Sequence, residues 1–78
     1  MSNAIVWSKE NCPFCDQAKS LLSQKGIPYE ERKIGSGYTK ESLLEAVPTA
    51  RSVPQIFLNE THIGGFTELK KYFDKEKE

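Results

Sequence analysis

The stretch SKENCPFCDQAK, Ser8–Lys19, decides the fold because it places a cysteine pair between a strand pattern and a helix pattern. Upstream of it, the apolar run AIVW predicts a short strand over Ala4–Ser8. Downstream, Pro13 suits a first helical turn, and apolar side chains recur at helical spacing at Phe14, Ala18, Leu21 and Leu22. The pattern therefore places Cys12 and Cys15 where a strand passes into a helix.

A second strand and a second helix follow. The segment Pro28–Ile34 predicts a strand, with Tyr29 and Ile34 as its buried positions. Thr39 suits the N-cap of a helix, and Pro48 ends that helix because proline disfavours helical geometry in the residue before it. The apolar face of this helix consists of Leu43, Leu44 and Val47.

The closing part of the chain predicts a hairpin and a third helix. The third strand spans Val53–Asn59, and a tight turn joins it to a short strand over Thr61–Ile63. Glu68 is an acid at the start of the last helix, whose apolar positions are Phe66, Leu69, Tyr72 and Phe73. We therefore predict an α/β fold with a small mixed four-stranded sheet and helices on both faces, in the order β-α-β-α-β-β-α.

Length and charge limit the classes of protein to consider. A chain of 78 residues predicts a single domain over residues 1–78. Lysine plus arginine and aspartate plus glutamate number 11 each, so no global charge favours binding to nucleic acid or acidic lipid. No apolar run approaches the roughly 20 residues that span a membrane. We expect a cytoplasmic monomer without a membrane or nucleic-acid partner.

The cysteine pair has three interpretations, two of which the residues do not favour. A structural zinc site needs four ligands, whereas Cys12 and Cys15 supply two and His62 is the only histidine. A structural disulfide across so short a loop would stabilise the fold by about 2 kcal/mol. A reducing cytosol would also not keep such a disulfide oxidised.

The third interpretation, a redox pair, uses the position at the start of a helix. Free helical amides and the helix dipole point at the sulfur of Cys12 and favour its thiolate, and Lys9 adds positive charge nearby. Cys15 lies one turn further in, where it is more buried. A C-x-x-C motif beside a βαβ pattern indicates thiol–disulfide chemistry, with one exposed attacking sulfur and one sheltered resolving sulfur.

Three motifs together resemble the dithiol glutaredoxins, in particular the compact bacterial and phage type. They are CPFC after a lysine, RSVPQIF in the middle and IGGFTEL near the end, in the order of the family. The resemblance spans nearly the whole chain. It implies a thioredoxin-like fold and glutathione as reducing co-substrate, with no metal. It also implies protein disulfides or glutathionylated proteins as substrates, with ribonucleotide reductase as one possible partner.

The resemblance assigns roles to residues around the cysteine pair. Cys12 matches the nucleophile and Cys15 the resolving cysteine. Lys9 matches the lysine that meets a carboxylate of glutathione and helps to hold the thiolate. Arg51 occupies a position where the family often carries a basic or polar group near the glycine end of glutathione. The alternative for both basic residues is an ordinary solvated side chain.

The remaining glutathione contacts implied by the resemblance involve backbone groups. Pro54 matches a cis-proline that faces the cysteines and turns the backbone of Val53 toward the cysteinyl part of glutathione. Gly65 permits a close approach, and the amides of Phe66 and Thr67 would hold the γ-glutamyl carboxylate at a helix start. The side chain of Phe66 can belong to the core even if its amide binds the ligand.

The sequence departs from the family pattern at one position and leaves two other functions open. Phe14 stands where the family often has tyrosine, so a phenolic hydroxyl is missing. One open function is a thioredoxin-like reductant supplied by a reductase protein. The other is a carrier that shares an iron–sulfur cluster between two chains, although Pro13 and the second cysteine, Cys15, argue against it.

Overall fold

The computed structural model describes residues 3–76 and shows four strands and three helices in the predicted order. The elements are β1 (Ala4–Ser8), α1 (Pro13–Gln24), β2 (Tyr29–Lys33), α2 (Lys40–Ala46), β3 (Gln55–Leu58), β4 (Thr61–Gly64) and α3 (Phe66–Glu76). The strand order in the sheet is β2-β1-β3-β4, with β1 and β2 parallel and the other pairs antiparallel. Within residues 3–76, no helix is long and apolar enough to cross a membrane.

The larger core lies on the face of the sheet that α1 and α3 cover. Alternate residues of the two central strands point to this face, because successive side chains of a strand point to opposite sides. The helices contribute residues at helical spacing. The buried members are Ala4, Val6, Ala18, Leu22, Ile56, Leu58, Leu69 and Phe73.

The opposite face of the sheet carries a smaller core under α2. Trp7 packs there with Leu43 and Val47, and the ring of Tyr38 meets the ring of Trp7 edge-on at 5.5 Å. The guanidinium group of Arg32 lies over both rings, 5.3 Å and 5.6 Å from their centroids. This core positions α2, and with it one side of the site described below.

One prediction of burial, that of Tyr29, was wrong, and the apolar positions of α1 are buried only in part. Phe14 is 58% exposed, since the buried residues of α1 are Cys15, Ala18 and Leu22 and the ring of Phe14 lies 6.1 Å from that of Phe66 on α3. Tyr29 is 36% exposed because β2 is an edge strand and the side chain lies at its outer end. Ile34 does pack against the smaller core and is partly buried.

The third strand is shorter than the predicted Val53–Asn59. It begins at Gln55, because Pro54 has no amide to donate to the ladder. The Val53–Pro54 peptide bond is cis. The strand ends at Leu58, since Asn59 and Glu60 adopt positive φ angles of 52° and 68° in the hairpin turn. The segment before β3 is therefore a loop, and this loop faces the cysteine pair.

Candidate active site

The two cysteines form a disulfide at the start of α1. Cys12 is the N-cap residue of this helix, with an extended backbone conformation at φ −119° and ψ 92°. The amide of Cys15 lies 3.2 Å from the Sγ atom of Cys12, and the amides of Cys15 and Asp16 donate to the carbonyl of Cys12. The amide of Cys15, in the first turn of α1, thus lies at the outer sulfur.

The two sulfurs differ in their access to solvent. Cys15 is 1% exposed, whereas Cys12 is only partly buried. The Sγ atom of Cys12 lies 3.9 Å from the carbonyl oxygen of Val53. An incoming disulfide can therefore reach Cys12 but not Cys15, and it meets the backbone of Val53 as it does so.

A small groove runs along one side of this contact. Its volume is about 210 Å³, and its lining consists of Phe14, Ser52, Val53, Pro54, Gly65, Phe66, Thr67 and Glu68. The amide of Gly65 donates to the Oε1 atom of Glu68 at 2.8 Å. The next amides, those of Phe66 and Thr67, belong to the first turn of α3, where backbone donors have no acceptor within the helix.

A second cavity, of about 250 Å³, lies on the other side of Val53. Its basic residues are Lys9, Lys40 and Arg51, and its other lining residues carry no charge. The structure thus brings the two predicted basic residues, Lys9 and Arg51, into one cavity with Val53. Lys40 is an addition that sequence reasoning missed. A lysine at the first position of a helix opposes the helix dipole, and this unfavourable placement is the signal that marks it.

A polar network ties α1 to the sheet next to the cysteine loop. Ser8 is fully buried, and its hydroxyl donates to Oε2 of Glu31 at 2.6 Å. The ammonium group of Lys19 donates to the same oxygen at 2.9 Å. The hydrogen bonds from Ser8 and Lys19 lower the pKa of Glu31, and the hydrogen bond to Glu31 raises the pKa of Lys19. The network joins β1, β2 and α1.

Metal ligands do not gather around this site. Within the part of the chain that the structure describes, no group of three or more histidine, cysteine, aspartate or glutamate residues could hold a metal ion. His62 lies on β4, where its Nε2 atom is 2.8 Å from Oε1 of Gln55 and its ring is 5.1 Å from the ring of Phe57.

Comparisons of the sequence with known proteins match one family. The family model described as Glutaredoxin matches residues 4–63. Glutaredoxin 3 of Escherichia coli is 39% identical over 69 residues, which cover 88% of this chain and 83% of that protein. The hybrid peroxiredoxin hyPrx5 of Haemophilus influenzae is 44% identical over 68 residues, which cover 87% of this chain but 28% of that much longer protein.

Comparisons of the structure agree. Glutaredoxin 1 from Francisella tularensis, complexed with cacodylate, superposes with a TM-score of 0.82 at 29% identity over 96% of this chain and 95% of that chain. A buckwheat glutaredoxin–glutathione complex superposes with a TM-score of 0.77 at 28% identity over 95% of this chain and 71% of that chain. The thioredoxin-like fold that the motifs implied is confirmed.

Proposed function

The chain belongs to the glutaredoxin family and is a thiol–disulfide oxidoreductase, and from this premise we propose that glutathione is its reducing co-substrate. The observation that carries the proposal is the pair of cavities flanking Val53, one basic and one at a helix start. Glutathione has a carboxylate at each end and a peptide backbone between them. Each cavity would hold one of the two carboxylates, and the backbone of Val53, which lies between the cavities, would pair with the peptide backbone of glutathione.

The glycine carboxylate would meet Lys9 and Arg51, with Lys40 as a third cation at the same end. The cysteinyl part would pair with the backbone N–H and C=O of Val53, as a neighbouring strand does.

The γ-glutamyl carboxylate would accept hydrogen bonds from the amides of Phe66 and Thr67 at the start of α3. Pro54 and Gly65 line the same groove and shape its wall. The known glutathione complex of the buckwheat glutaredoxin, which shares this fold, supports glutathione as the ligand.

Oxidation of the cysteine pair proceeds in two exchange steps. The Cys12 thiolate attacks one sulfur of a substrate disulfide, so that a mixed disulfide forms and the second substrate sulfur leaves and takes up a proton. Cys15 then loses its proton and attacks the sulfur of Cys12. The first substrate sulfur leaves as a thiol, and the Cys12–Cys15 disulfide closes.

Two molecules of glutathione return the pair to the dithiol. The first attacks the sulfur of Cys12 and frees Cys15 as a thiol. The second attacks the glutathione sulfur of that mixed disulfide, which releases glutathione disulfide and the Cys12 thiolate. Two electrons and two protons thus pass from two glutathione molecules to the substrate. With a glutathionylated substrate, Cys12 takes the glutathione directly and one further glutathione suffices.

We expect the substrates to be disulfide-bonded or glutathionylated proteins, and the protein to act in the cytoplasm as a single-domain monomer. Ribonucleotide reductase is one candidate partner. A part of the hybrid peroxiredoxin hyPrx5 is similar to this chain, which supports peroxiredoxins as another class of substrate.

A comparison of reductants tests the proposal. Reduction of a glutathionylated small thiol is measured through the consumption of NADPH. One assay contains glutathione plus glutathione reductase, and the other contains thioredoxin reductase. We expect turnover with the first system and little with the second. Turnover with thioredoxin reductase alone would contradict glutathione dependence and favour the thioredoxin-like alternative.

A further inference from the structure

A second groove leads away from the proposed glutathione site between α1 and α3. Its volume is about 340 Å³, and its lining consists of Asp16, Gln17, Ser20, Leu21, Gln24, Phe66 and Lys70. Phe66 lines both this groove and the smaller one beside Pro54, so the two grooves adjoin at this side chain. Phe14 lines the smaller groove and is 58% exposed, with its ring centroid 6.1 Å from that of Phe66.

The lining of the α1–α3 groove matches the main chain of a polypeptide. Gln17, Ser20 and Gln24 each offer both a hydrogen-bond donor and an acceptor, as a peptide backbone requires. Leu21 adds an apolar contact. The charges of the two ionic residues in the lining, Asp16 and Lys70, cancel, so the groove favours a neutral occupant.

The direction of glutathione determines which part of a substrate would reach this groove. In the proposed orientation, the γ-glutamyl residue, which is the amino-terminal end, lies at Phe66 and Thr67. A protein substrate that lies on Val53 in the same direction passes Phe66 with the residues that precede its cysteine. Because an extended chain advances about 3.3 Å per residue, a few such residues suffice to enter the groove. Glutathione bound in the proposed orientation would end before it reached this groove.

We propose that the α1–α3 groove binds the extended segment on the amino-terminal side of the reactive cysteine in a disulfide-bonded protein substrate. The proposal rests on the proposed function, since it takes its direction from the orientation of glutathione. It makes the groove a determinant of specificity for proteins over small disulfides. Phe14 and Phe66 form the passage between the reacting sulfur and the groove.

Two model peptides of equal composition test this inference. Each carries one cysteine in a mixed disulfide with 2-mercaptoethanol; four neutral residues precede the cysteine in one peptide and follow it in the other. The protein is reduced beforehand and freed of reductant, and the rate of a single turnover is measured by mass spectrometry. This assay does not depend on glutathione. We expect the first peptide to react about tenfold faster than the second at subsaturating concentration.

A matched pair of variants locates the effect. Ser20→Arg fills the groove with a long charged side chain and should remove the preference for the first peptide. Ser23→Arg places the same change on the same helix, at an exposed position outside the groove, and should leave the preference intact. Both variants should react with the second peptide at the wild-type rate, which shows that they fold.

The outcomes separate the inference from the proposed function. Equal rates for the two peptides in the wild type, or equal losses in the two arginine variants, would overturn the inference. In a parallel assay, the wild type is given a glutathionylated small thiol and glutathione. Failure there, with the peptide preference retained, would overturn glutathione dependence and leave the groove assignment standing.

Discussion

The two sulfurs of the disulfide have different surroundings, and their roles follow from this difference. Cys12 is partly exposed at the N-cap of α1, beside the backbone of Val53, whereas Cys15 is 1% exposed. An external disulfide can approach Cys12 alone. Cys15 can act only on a partner already held at Cys12, which is the geometry of a resolving group.

We therefore predict that Cys12→Ser abolishes both removal of glutathione from a small thiol and reduction of a protein disulfide. Cys15→Ser should retain the first reaction, because glutathione itself can resolve that mixed disulfide. It should lose most of the second, since intramolecular attack corresponds to effective molarities of roughly 10⁵ M or more, which millimolar glutathione does not match. Both variants are assayed on both substrates, and an active Cys12→Ser variant would reverse the assignment.

The polar network beside the cysteine loop gives a prediction of pH dependence. The pKa of Glu31 is lowered from 4.5, chiefly by the hydrogen bond from Ser8 and then by that from Lys19. A lowered pKa in the folded state means that the stabilisation is complete above pH 4.5 and is lost as the pH falls below it. Glu31→Gln should therefore lower the free energy of unfolding at pH 7 by about 1 kcal/mol and have little effect below the folded-state pKa.

Urea unfolding of the wild type and the variant at pH 7 and in a series of acidic buffers measures this difference. Glu45→Gln is the control, because it removes the same charge at an exposed position on α2. A loss in Glu31→Gln that is independent of pH would assign the effect to packing instead of charge.

The junction between β4 and α3 depends on two glycines that differ in their constraints. Gly64 has a φ of 125°, and a Cβ atom there would lie 2.9 Å from Cγ of Glu68. A Cβ atom on Gly65 would meet the end of the same flexible side chain at 3.2 Å. We predict that Gly64→Ala lowers the free energy of unfolding by about 1–3 kcal/mol and that Gly65→Ala lowers it less.

Chemical denaturation of the two alanine variants tests this order. Gly65→Ala should instead act on the site, because this glycine lines the groove beside Pro54. We expect a higher KM for glutathionylated substrate in Gly65→Ala with nearly unchanged stability. If Gly65→Ala were the less stable of the two variants, the account of this junction would be wrong.

At the level of elements, local signals were enough to predict the order of strands and helices. Helix boundaries are marked locally by Pro13, Thr39 and Pro48, and these signals do not depend on the rest of the chain. The position of each strand within the sheet cannot be read from such local signals, because it depends on pairing between distant segments. Tyr29 was predicted to be buried, and it is exposed because β2 lies at the sheet edge.

The same distinction applies to the candidate site. The motifs marked the predicted site residues, and the structure brings these residues together around Cys12 and Val53. Lys40 carries no motif and joins Lys9 and Arg51 only because α2 packs over the smaller core. The α1–α3 groove likewise exists only through the packing of two helices that the sequence separates.

The whole molecule combines electrical neutrality with one local concentration of positive charge. Basic and acidic residues number 11 each, so long-range attraction of an anionic substrate is not expected. The basic cavity, with Lys9, Lys40 and Arg51, lies on the α2 side of the site, and the helix start at Phe66 lies on the α3 side. The site thus spans both layers that cover the sheet, with Val53 between them.

This arrangement predicts that electrostatic recognition of glutathione is local. Lys40→Gln should raise the KM for a glutathionylated small thiol about two- to fivefold at low salt, with an unchanged kcat, because an exposed ion pair contributes up to about 1 kcal/mol. The difference from wild type should shrink as salt is added, since the screening length falls to about 8 Å at 0.15 M ionic strength. Lys71→Gln makes the same change in net charge at an exposed position that lines a different cavity, with His62 and Tyr72. Steady-state kinetics over a series of salt concentrations compare the two variants. If Lys71→Gln raised the KM as much as Lys40→Gln, the net charge of the molecule would be responsible and the basic cavity would have no special role.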